Sequence, residues 1–145
     1  MPDIHPFIVH FPLALFLTGL LFDLLGLALA DERLVKTGWH LLAASFLASL
    51  PAVASGLFAA SGIILTPAGR DTFEWHQQLA LLAASAIAAV AFWRLRAGGG
   101  IPAKPRTLYL LAAIATAGLL IATGLAGGEL VFRHGVGVEA VGLQP

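Results

Sequence analysis

Apolar residues run through this chain in four long blocks, about Ile8 to Ala30, Gly38 to Ser61, Gln77 to Leu95 and Leu108 to Phe132. Short polar or glycine- and proline-rich stretches separate them. A helix rises about 1.5 Å per residue, so roughly 20 apolar residues cross the hydrocarbon core of a bilayer. Each block is of that order. The pattern predicts an all-α integral membrane four-helix bundle that fills the chain as one transmembrane domain. Composition agrees, with 59% hydrophobic residues, 11% charged residues and a mean hydropathy of +0.90, values foreign to a soluble domain of this length. The first block has Asp3 before it, Asp23 inside it and no basic leading region. It is expected to stay as helix 1 and not to be cleaved as a signal.

Charge gives this bundle an orientation. Arg33 and Lys36 lie between blocks 1 and 2, and Arg94, Arg96, Lys104 and Arg106 between blocks 3 and 4, against Arg70 and Arg133 on the other side. Cations collect in cytoplasmic loops, so both termini are expected outside a cytoplasmic (inner) membrane. Trp39, Trp75, Trp93 and Tyr109 stand at block ends, where amphipathic rings favour the headgroup region. The net charge is zero, and no strongly basic patch outside suggests nucleic acid.

The absence of cysteine excludes disulfides, thiolate-held clusters and haem attached through Cys-x-x-Cys-His. Any metal must be held by nitrogen or oxygen. No phosphate loop, nucleophile elbow or His-Glu-x-x-His occurs, so hydrolase and nucleotide-binding readings lack support. The Ala97–Pro105 run reads as a flexible linker, Thr66-Pro67-Ala68-Gly69 as a turn, and Asp71-Thr72-Phe73-Glu74 as the capping box that opens helix 3. Pro6 and Pro12 each suit a first helical turn, so helix 1 is expected to begin at one or the other.

Four of the five histidines, His5, His10, His76 and His134, fall at block ends on the outer side, and His40 stands alone on the inner side. A weak internal match pairs Ala54-Ser55-Gly56-Leu57 with Ala122-Thr123-Gly124-Leu125 at an offset of 68, while His10 and His76 are 66 apart. This suggests two parallel helical-hairpin repeats about an axis along the membrane normal. His10 and His76 would then sit on one diagonal of the bundle and Gly56 and Gly124 on the other, a setting suited to a flat macrocycle gripped by two imidazoles.

The opening His5-Pro6-Phe7-Ile8-Val9-His10-Phe11-Pro12 and the ending Gly127-Gly128-Glu129-Leu130-Val131-Phe132-Arg133-His134-Gly135-Val136-Gly137-Val138 resemble the bacterial membrane proteins grouped as domain of unknown function 2231. The resemblance covers nearly the whole chain. It implies a small four-helix protein of the cytoplasmic membrane with no established activity, and some such proteins are joined to cytochrome-like modules, which favours redox work by analogy.

Three functions follow as expectations. The first is a b-type haem protein with His10 and His76 as axial ligands and His5, His134 and Arg133 near the haem edge, passing electrons from a quinol to an external cytochrome or membrane redox complex. The second is an outer-face Cu, Zn or Fe site built from His5, His10, His76 and His134. The third is an accessory subunit of a larger membrane complex. Asp23 lies inside block 1, where a charge costs on the order of 2.5 to 3.5 kcal/mol on insertion scales, so a partner is expected for it. His40 and Arg33 are nearest in depth, and a Ser or Thr hydroxyl on a neighbouring helix is the alternative. Glu129 and Arg133, four apart, are spaced for an ion pair. Gly124-x-x-x-Gly128 and Ala48-x-x-x-Ala52-x-x-x-Gly56 are expected to let helices approach closely.

Overall fold

The computed structural model describes residues 4–62 and 65–138. Five helices make four membrane-length rods: α1 (His5–Ile8) and α2 (His10–Leu29) share the first, followed by α3 (Glu32–Ala60), α4 (Pro67–Arg96) and α5 (Arg106–His134). All four rods are long and apolar enough to cross a membrane. Pro6 occupies the first turn of α1, and the chain runs on through Val9, still in the right-handed helical region, into α2. Pro12 therefore lies inside the rod, and the amide it lacks accounts for the interruption one turn earlier.

Helix ends extend beyond the apolar blocks. Asp31 accepts a hydrogen bond from Arg33 N at 2.8 Å and starts α3 well before Gly38. Thr66, expected in a turn, instead caps α4 by accepting from Gly69 N at 3.2 Å, with Pro67 in the first turn. A cap and a pre-set proline begin the helix ahead of the Asp71–Glu74 box, which moves His76 to the third turn. At the far end Gly135 adopts φ 63°, and its N–H donates to Val131 O at 3.1 Å, an αL closure that makes His134 the last helical residue and not part of a loose tail.

Helices α2 and α3 form one hairpin and α4 and α5 the other; α3 also packs on α4, and α2 on α5. This places α2 and α4 on one diagonal and α3 and α5 on the other. Phe16, Leu42, Ile87, Val90, Ala113 and Leu120 fill the centre, while Leu21, Leu24, Leu47, Leu82, Leu111 and Leu125 face outward. A bundle as apolar outside as inside is built for hydrocarbon, where close backbone approach replaces the hydrophobic drive. Gly19 provides that approach: a Cβ there would meet Gly38 O at 3.2 Å. Gly128 meets nothing within 4 Å among the described residues, so the Gly124–Gly128 pair does not seat a helix in this way. Ser45 Oγ donates to Pro12 O at 2.8 Å and ties α3 to α2.

Burial identifies the repeat and corrects its register. In α2 the buried positions include Pro12, Phe16, Gly19 and Asp23, and in α4 Ala83, Ile87, Val90 and Arg94, each 71 residues later. In α3 they include Gly38, Leu42, Ser45 and Ser49, and in α5 Tyr109, Ala113, Thr116 and Leu120, again 71 later. The halves thus present equivalent faces to a common axis, as parallel hairpin repeats should. The offset is 71, not the 66 to 68 suggested by short identities, and it pairs His5 with His76 and Asp23 with Arg94.

Candidate functional site

One end of the bundle gathers His5, His10, His76 and His134; the other carries six of the eight cations, Arg33, Lys36, Arg94, Arg96, Lys104 and Arg106. On the histidine end, His5 Nδ1 lies 3.0 Å from Ser55 Oγ. That hydroxyl already donates to Ala52 O at 3.0 Å, so His5 Nδ1–H is the donor. His76 Nδ1–H donates to Thr123 O at 3.1 Å, and His10 Nδ1–H to Pro6 O at 2.6 Å. In His76 and His10, whose partners are carbonyl oxygens, the proton is held on Nδ1, which leaves the lone pair of the neutral imidazole on Nε2. His134 is bonded differently, through Nε2 to Thr72 Oγ1 at 3.2 Å.

Glycines make room for two of these rings. A Cβ on Gly56 would stand 2.8 Å from His5 Cε1, and one on Gly127 would stand 3.1 Å from His76 Cε1. Gly56 and Gly127 are themselves 71 apart, so each hairpin presses its histidine against its own glycine. Gly124, by contrast, meets only Leu13 Cδ2, at 4.0 Å, among the described residues. His5 and His76 are half-buried at the same end of the bundle. His10, although on the helix diagonal to that of His76, is exposed and turned back on its own helix. His40 is exposed at the opposite end. Arg133 pairs with Glu129 at 3.0 Å on the surface. Among the described residues no three His, Asp or Glu side chains are grouped to hold a metal ion.

A second polar site lies near the basic end, inside the bundle. Arg94 has no exposed surface and Asp23 is 4% exposed; the two form an ion pair across the α2–α4 diagonal through Arg94 Nη1 and Asp23 Oδ2. The guanidinium also donates to Val35 O at 2.6 Å and Gly99 O at 3.0 Å, and Tyr109 Oη lies 3.5 Å away. Asp23 Oδ1 has no hydrogen-bond partner among the described residues; it faces Gly38, where any Cβ would collide with the carboxylate. The partner of Asp23 is therefore neither His40 nor Arg33. Arg94, counted in sequence among the loop cations, is drawn inward, and Tyr109 is 1% exposed, packed edge-on to Trp93 with ring centres 5.8 Å apart, so it is not an interfacial ring. The 71-residue offset that aligns Asp23 with Arg94 is the sequence signal that would have revealed the pair.

These features define a multi-pass four-helix membrane protein with internal hairpin duplication and polar pairs at equivalent positions. The chain belongs to the family described as "Predicted membrane protein (DUF2231)", whose model matches residues 2–140. No curated protein and no solved structure matches it.

Proposed function

We propose that the histidine end holds a b-type haem and that the protein takes part in electron transfer on the outer face of the cytoplasmic membrane, from quinol to an external redox partner. The supporting observation is the anchoring of the imidazoles. A ligating histidine commonly donates its second ring N–H to a carbonyl or another fixed acceptor, which sets the tautomer, fixes the ring plane and raises ligand basicity. His76 does this through Thr123 O, and His5 through Ser55 Oγ. Their equivalent positions in the two hairpins and their partial burial make them the preferred axial pair, ahead of the exposed His10.

The donor set fits a group gripped by two imidazoles, and Gly56 and Gly127 accommodate the imidazoles themselves. Bound haem would supply one-electron redox chemistry at this end. Arg133 and His134, at the close of α5, would supply charge and hydrogen bonds for carboxylates at the rim in exchange for their partners Glu129 and Thr72. Protein purified in detergent from haem-replete cells should show a Soret band and a dithionite-sensitive α band. Both should be lost in His5→Ala and His76→Ala and kept in His10→Ala. Colourless, haem-free protein overturns the reading, and stoichiometric Cu, Zn or Fe without a Soret band assigns the same nitrogens to a metal ion instead.

A further inference from the structure

At the basic end, the last turns of α4 and the segment leading to α5 enclose a groove of about 720 Å³, lined chiefly by Ala89, Phe92, Trp93, Arg96, Pro102 and Lys104. We propose that this groove binds an anionic phospholipid, its phosphate between Arg96 and Lys104 and an acyl chain along Phe92 and Ala89. The inference is independent of what the histidines hold.

Charge is the first argument. Arg96 and Lys104 are both exposed, neither has an ion-pair partner among the described residues, and the groove wall contains no acid. Arg94, two residues away and turned into the bundle, is already neutralised by Asp23, so the two groove cations are left to attract an anion from outside.

The order of chemistry along the groove is the second. The Arg96 guanidinium lies 4.7 Å from the centre of the Phe92 ring. Stacking occupies its face and leaves the in-plane N–H edge for oxygen acceptors, the geometry that suits a phosphate. Phe92 and Ala89 then continue along the exposed face of α4 toward the middle of the helix. Cation, aromatic ring and small apolar residues thus follow one another as phosphate, glycerol and acyl chain do in a lipid. A free phosphate would use only the first part of this surface. Basic pockets beside transmembrane helices recognise anionic headgroups on these grounds.

Trp93 makes the proposal measurable, because it lines the groove and is held edge-on against Tyr109. In the full chain carrying Trp39→Phe and Trp75→Phe it is the sole tryptophan. Reconstitution into brominated phosphatidylcholine should quench it, and unbrominated phosphatidylglycerol should relieve the quenching beyond its mole fraction. A preference for phosphatidylglycerol of roughly fivefold per cation is expected, up to about thirtyfold for two. Arg96→Gln with Lys104→Gln should reduce the preference to unity while helix content is unchanged; Lys104→Gln alone, outside any helix, should reduce it in part. A ratio of unity before substitution, or the same ratio after it, overturns the proposal. So does restoration of quenching by excess inorganic phosphate, which would assign the cations to a free anion.

Discussion

Neutralising one member of the Asp23–Arg94 pair should harm the bundle far more than neutralising both. In Arg94→Gln the Asp23 carboxylate keeps its 4% exposure and loses its only hydrogen-bonding partner, because Oδ1 has none among the described residues. In Asp23→Asn the guanidinium keeps Val35 O and Gly99 O but holds an uncompensated charge with no exposed surface. Breaking a buried pair from one side costs about 3–5 kcal/mol, whereas replacing both charges is often close to neutral. The double variant should therefore lie at least about 2 kcal/mol closer to the parent than the sum of the singles. Because the two positions are repeat equivalents, the exchange Asp23→Arg with Arg94→Asp should also be tolerated better than either single change. Unfolding midpoints in mixed micelles titrated with a denaturing detergent measure all five proteins. Singles within about 0.5 kcal/mol of the parent, or strictly additive losses, would refute the claim that a desolvated ion pair joins α2 to α4.

Other positions give sharper local tests. Gly56→Ala and Gly127→Ala introduce a Cβ 2.8 and 3.1 Å from an imidazole carbon and should each cost about 1–3 kcal/mol while shifting the histidine ring signals in NMR spectra; Gly128→Ala, which meets nothing within 4 Å among the described residues, should be neutral or stabilising by about 0.5–1 kcal/mol. Thr66→Ala removes the acceptor for Gly69 N and should cost about 1 kcal/mol, seen as faster amide exchange over the first turn of α4 and nowhere else.

The four rods were legible because crossing a bilayer sets a length that only a few sequence patterns meet. Their ends were less so. The charged residues Glu32, Arg33 and Lys36 extend α3 beyond its apolar block, since a helix leaving the membrane remains a helix where a cap such as Asp31 supports it. The repeat was visible in kind and misplaced in register. Identities at Ala-Ser-Gly-Leu and Ala-Thr-Gly-Leu lie at an offset of 68, whereas the true equivalents are matched by chemistry and burial: Ser45 with Thr116, Asp23 with Arg94. Arg94 was misassigned because counting loop cations presumes that a charge near a span end is exposed. Depth along a rod likewise says nothing about which way an imidazole turns, and His10 is exposed where His5 is half-buried.

The opposite charges at equivalent positions carry a consequence for the ratio of the two halves. Two copies of the first hairpin, paired as the two halves are here, would bring two carboxylates face to face at position 23, and two copies of the second would oppose two guanidinium groups at position 94. Each half therefore repels its own likeness at a buried position, and each supplies the counter-ion the other needs. A chain carrying both hairpins holds the two unlike halves at a fixed one-to-one ratio, which two free copies of either half could not supply.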